Sequence, residues 1–183
     1  MPIKETLMSK MKNIAAVLTL ALTLVVAAPL ALAQNDPGKG LYLPGDVSVE
    51  LAQKAIEAGL KEAQKQGTLM NIAVVDAGGN LKAFCRMDGA FLGSIDISIK
   101  KAVSARHLNM STTQLGEAAQ PGQELYGIEV SNNGMIIFGG GELLKDKDGT
   151  IIGAIGVSGS SVANDVAVAK AGAAAVLAAT GGK

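Results

Sequence analysis

Apolar positions along the chain recur at helical spacing in some blocks and crowd into short β-forming runs in others. Ser48 can cap a helix in which Ala52, Ala55, Ile56, Gly59, Leu60 and Ala63 share one face, with Gly67 as its stop. Met70 to Val75 and Leu81 to Met87 read as two strands. The turn cluster Asp76-Ala77-Gly78-Gly79-Asn80 joins them, most simply as an antiparallel hairpin. A second helix is predicted from a Ser94 cap to about Leu108. Its Ile95, Ile99, Ala102 and Arg106 lie on one side, with Ile97, Ser104 and Leu108 roughly opposite, so it expects burial on both sides. Ser111-Thr112-Thr113-Gln114 fits a capping box for a short third helix before Pro121-Gly122.

Met135 to Phe138 and Glu142 to Lys145 read as short strands around Gly139-Gly140-Gly141. Asp146-Lys147-Asp148-Gly149 turns the chain into a strand over Thr150 to Val157, and Ser161 opens an alanine-rich helix to about Ala179. The order α-β-β-α-α-β-β-β-α lacks strict βαβ alternation. It predicts one α/β (α+β) domain, a largely antiparallel sheet of about five strands with helices packed on it.

Ahead of this domain, Lys10 and Lys12 precede an uncharged apolar run from Ile14 to Val26, followed by Ala31-Leu32-Ala33. Basic flank, apolar run and small-x-small ending predict a secretory signal over residues 1–33, cleaved before Gln34, with the start at Met1, Met8 or Met11. The run is shorter than a membrane span requires. Residues 34–47, with Pro37, Gly38, Gly40, Pro44 and Gly45, read as an exposed lead-in, and residues 48–183 as the single domain. A periplasmic or secreted protein is expected, with no membrane span once the signal is gone.

Composition narrows the chemistry. Sixteen basic and sixteen acidic residues, without a basic stripe, remove the electrostatic footprint of a nucleic-acid binder. One cysteine and one histidine exclude a disulfide framework, HExxH and a multi-His/Cys zinc site within one chain. Cys85, inside a predicted strand, reads as a small buried hydrophobe.

Several residues could still meet a ligand. The strand-turn-helix passage Gly156-Val157-Ser158-Gly159-Ser160 could seat a carboxylate or phosphate on free N–H groups, or serve packing and capping alone. It matches neither G-x-G-x-x-G nor G-x-S-x-G. Arg86 could clamp a carboxylate in bidentate geometry, or pair with Asp88 to organise the turn. Asp146 and Asp148 read as a hairpin turn, lacking the other ligands of a calcium loop. His107 either interacts with a helix C-terminus or ligates haem iron, for which one imidazole suffices, and Met110 is a weaker candidate.

The strings NIAVVDAGGNLKAFCRMDGAFLGSIDISIKKAVSA and IIGAIGVSGSSVANDVAVAKAGA resemble the GlcG/HbpS family, related to a domain of cobalamin adenosyltransferases. The resemblance runs from about Ser48 to Leu177 and includes Asp76, Arg86, Asp88, Ser94, Lys101, Ser158 and Asp165. It implies a profilin-like α/β domain, homo-oligomers from dimer to octamer, haem or iron binding, and haem degradation as an activity of the group. The sequence departs from the family at Leu108-Asn109-Met110-Ser111-Thr112 and Phe138-Gly139-Gly140-Gly141, and His107 falls at a variable position. The leading expectation is an exported oligomeric protein binding haem or a similar carboxylate-bearing molecule through His107, Met110, Arg86, Asp88, Ser158 and Ser160. The alternative is an enzyme or accessory protein for a small 2-hydroxy or 2-oxo acid such as glycolate, with Arg86 on the carboxylate and Asp88 as base.

Overall fold

The structure, a computed structural model, describes residues 45–181. The expected signal segment and most of the lead-in lie outside them. Helix α1 spans Val49–Gln66. The Ser48 hydroxyl accepts from Leu51 N at 3.1 Å, and Gly67 ends the helix in the left-handed region at φ 66°. Strands β1 (Asn71–Val75) and β2 (Leu81–Arg86) pair antiparallel, Asn71 opposite Arg86. The Asp76 carboxylate accepts from Gly78 N and Asn80 N at 2.8 Å each, which fixes the turn between them.

Helix α2 spans Gly93–Leu108 and α3 spans Thr112–Ala118. The expected capping box is present: Ser111 Oγ accepts from Gln114 N while the Gln114 side chain accepts from Ser111 N. The expected Ser94 cap is not. Leu92 stands at the start of α2 without a side-chain bond, and Ser94 lies inside the helix, buried, accepting from the Ser158 hydroxyl at 3.1 Å. A 3₁₀ turn over Ile128–Val130 leads to β3 (Gly141–Lys145), β4 (Ile151–Ser158) and α4 (Val162–Gly181). Asp146 Oδ1 accepts from Asp148 N and Thr150 N at 2.9 Å each, the hairpin turn that was expected.

The sheet has four strands in the order β2-β1-β4-β3, all neighbours antiparallel. The missing fifth strand is Met135 to Phe138. Ile136 N donates to Ser104 Oγ of α2 at 2.9 Å instead of joining a ladder, so this β-forming segment lies across a helix.

Helices α1 and α4 share one face of the sheet. Their Ala52, Ala55, Ile56, Val168 and Val176 meet Ile72, Val74, Ile155 and Val157 in the main core. By length and composition α4 could cross a membrane, but here its Val168, Ala169, Gly172 and Val176 are buried. Helix α2 covers the other face so closely that a Cβ at Gly156 would stand 2.0 Å from Ser98 O and 2.4 Å from Ala102 N. Only glycine permits that approach. The lead-in joins the fold earlier than expected. Val47 is fully buried and donates to Ile152 O at 2.9 Å, while Asp46 pairs with Lys82 at 2.8 Å.

Candidate functional site

Helix α2 buries a polar stripe, Ser94, Ser98, Lys101 and Ser104, whose spacing of three to four residues puts them on one face. Lys101 is fully buried. Its ammonium donates to Asp165 Oδ2 at 2.7 Å and to Val157 O at 2.8 Å, and it lies 4.8 Å from the centre of the Phe138 ring. Burial lowers the Lys101 pKa and raises that of Asp165, while the contact between them opposes both shifts. With its directional hydrogen bonds met, the pair ties α2 to β4 and α4.

This arrangement bears on the Ser158–Ser160 turn. Asp165 Oδ1 accepts from Ser160 N at 3.2 Å and the carboxylate also takes the Gly159 N–H. Ser158 Oγ is turned to Ser94, and Ser160 Oγ accepts from Asn164 Nδ2 at 3.1 Å. The expected anion seat therefore receives an anion from the chain itself, Asp165. Ser160 also edges a small cleft of about 320 Å³ with Leu69, Gly89 and Phe91.

Arg86 and Asp88 are exposed where β2 ends, and neither makes an ion pair among the described residues. His107 is exposed near the end of α2, packed against Gly79, where a Cβ would come within 2.5 Å of Nε2. Gly79 holds a φ of 84° in the hairpin turn. Arg86 and His107 thus stand at opposite ends of a strand of six residues, about 17 Å at the usual rise of about 3.3 Å per residue. Met110 is half-buried just past α2, its N–H donating to Ala105 O at 3.2 Å. The fold does not gather these candidates into one cleft.

A larger groove of about 780 Å³ runs along the free edge of β3. Leu143, Val162, Ala163 and Val166 give it an apolar wall, and Ser111, Thr113 and Gln114 at the start of α3 a polar rim. Its charges are Glu142 and Lys145 from β3 and Lys170 from α4. Glu142 is half-buried and makes no hydrogen bond or ion pair among the described residues. Burial raises its carboxyl above the usual range, and Lys170 counters this only through longer-range attraction. An unpartnered half-buried carboxylate invites a cationic or donor group. The groove lies within the usual range of about 300–1,000 Å³ for small-molecule sites. Sequence reasoning missed it because Glu142 and Lys170 meet only through the packing of α4 on β3. The available hint was a carboxylate set next to two leucines within a short strand.

Residues 47–174 match the family described as haem degrading protein HbpS-like. The chain belongs to the HbpS-like family. A 15.0 kDa protein from the dhaT-dhaS intergenic region of Citrobacter freundii is 39% identical over 119 residues, 65% of this chain and 84% of that protein. The corrinoid adenosyltransferase PduO of Salmonella typhimurium is 37% identical over 120 residues, 65% of this chain. The HbpS-like chain spans only 35% of PduO's length. Among solved structures, a PduOC:heme complex superposes with a TM-score of 0.67 at 34% identity, covering 71% of this chain and 94% of that one.

Proposed function

We propose that this HbpS-like protein binds haem, or a comparable flat molecule bearing carboxylates, in the groove along β3. The observation that carries this reading is the groove's charge pattern on an apolar wall, one half-buried carboxylate sharing the groove with two lysines. Haemin is its complement: an apolar disc with a cationic ferric centre and two propionates. Leu143, Val162 and Val166 would pack the macrocycle, and Lys145 and Lys170 would meet the propionates. Bound haem would supply a redox-active iron, while the chain supplies the pocket, its charge and its exclusion of water. The haem-complex neighbour supports the ligand class.

We also propose that the protein is exported and acts as a homo-oligomer. Intact mass of the secreted or periplasmic form should begin at Gln34. Retention of residues 14–26 would overturn the export reading.

Titration of the apoprotein with haemin tests the ligand. Wild type should give a Soret band saturating at micromolar haemin, and Lys145→Glu with Lys170→Glu should weaken binding several-fold. His107, the chain's only imidazole, offers iron a second place on the exposed surface. His107→Ala therefore accompanies the series. Loss of the Soret band in His107→Ala, with the lysine variant unaffected, would move the site from the groove to α2. No binding by wild type would remove the haem reading.

A further inference from the structure

The unpartnered carboxylate in the groove carries a more specific conclusion, which rests on the haem-binding reading above. We infer that Glu142 is the axial ligand to the ferric iron of a haem bound along β3. Among the residues lining the groove it is the single anionic group. Ser111, Thr113 and Gln114 offer only neutral oxygens and amide nitrogen, and Lys145 and Lys170 are cations at neutral pH.

Ferric iron is a hard centre that takes anionic oxygen, as the tyrosinate of catalases illustrates. The carboxylate shares the α4 side of β3 with the apolar Val166, where a porphyrin face would pack. Its lack of a hydrogen bond or ion pair among the described residues leaves its lone pairs available. The groove's one negative and two positive charges then pair with the iron and the two propionates, leaving no charge in the site unmatched. Glu142 is held on β3 opposite Ile155, one pair in from the end of the β3–β4 ladder, so the ligand is presented from a hydrogen-bonded strand.

Two porphyrins separate the inference from the reading beneath it. Haemin and metal-free protoporphyrin IX share the macrocycle and propionates and differ at the metal. Both are titrated into wild type, Glu142→Gln, Glu142→Asp and His107→Ala, with electron paramagnetic resonance and Soret position recorded for the haemin complexes. Glu142→Gln keeps size and shape, and a far-ultraviolet dichroism spectrum and thermal melt check its fold.

Wild type and His107→Ala should give the same high-spin ferric spectrum. Glu142→Gln should shift that spectrum and weaken haemin at least about tenfold, since even outer-shell changes at metal sites cost about 10–100-fold. Protoporphyrin IX should bind wild type and Glu142→Gln within about twofold of one another, and Glu142→Asp should recover part of the haemin affinity. Equal haemin spectra and affinity in wild type and Glu142→Gln would overturn the ligand assignment while leaving haem binding intact. Equal weakening of both porphyrins would overturn it too, reducing Glu142 to a packing or polarity role. Binding of neither porphyrin to wild type would remove the underlying reading instead.

Discussion

Replacing Lys101 by methionine removes the buried ammonium while keeping most of its length. Lys101 and Asp165 have 0% and 3% exposed side chains, so water cannot take over from the lost partner. Breaking a buried ion pair from one side costs about 3–5 kcal/mol, chiefly because the surviving charge is left uncompensated. Here Asp165 keeps the Ser160 and Gly159 N–H groups, which places the expected cost near the lower end, about 3 kcal/mol. Urea unfolding at pH 7, at matched protein concentration, reads this directly. With a slope of about 1–3 kcal/mol per molar, the midpoint should fall by about 1–3 M. Adding Asp165→Asn removes the stranded charge but retains an oxygen for the two N–H groups, and should recover at least about 1 kcal/mol. A single variant within about 1 kcal/mol of wild type, or a double variant less stable than the single, would refute the view that the pair is held together by mutual neutralisation.

Glu142→Gln should raise the apoprotein's melting temperature at pH 7 and leave it unchanged near pH 4. A folded pKa above the unfolded one contributes stability that is present below the unfolded value and lost as pH rises through the folded value, and the glutamine abolishes that loss. For haemin the sign reverses. Because iron competes with the proton, wild-type affinity should rise with pH through the raised carboxyl, against the fields of Lys145 and Lys170, and Glu142→Gln should lack that component. Gly156→Ala should destabilise by at least about 1–3 kcal/mol in a thermal melt, since its Cβ would meet the α2 backbone and not a movable side chain. Light scattering at micromolar concentration should give at least a dimer, because Phe91, Leu92, Tyr126 and Val130 are each more than 60% exposed on the single chain.

The elements whose ends are set by local chemistry were legible in the sequence. Ser48 and Gly67 bound α1, and Ser111 with Gln114 starts α3, because a cap is satisfied within a few residues of itself. Met135 to Phe138 has strand composition yet forms no strand, since a strand must also reach a sheet edge and Ser104 holds Ile136 against α2 instead. Ser94 looked like a cap because nothing local reveals that Ser158, 64 residues away, will claim its hydroxyl. The candidate site suffered most from this non-locality. His107 and Arg86 attract notice by residue type, but the fold sets them at opposite ends of β2. Glu142 and Lys170 are unremarkable in sequence and meet only once α4 lies on β3.

The turn from β4 into α4 behaves as a lock supplied with its own key. Asp165 is tethered within a few residues of the N–H groups it accepts from, so its local concentration is in the range of millimolar or more that short tethers confer. A free phosphate or carboxylate must displace a competitor that cannot diffuse away, and must do so beside the charge it displaces. Sulfate or phosphate buffers should therefore leave this turn untouched. Shortening the tether's head group, as in Asp165→Ala, would vacate a seat of two N–H groups beside the Lys101 ammonium. The same backbone that now excludes small anions would then recruit them, so the distinction between a structural turn and an anion receptor rests here on a single carboxylate.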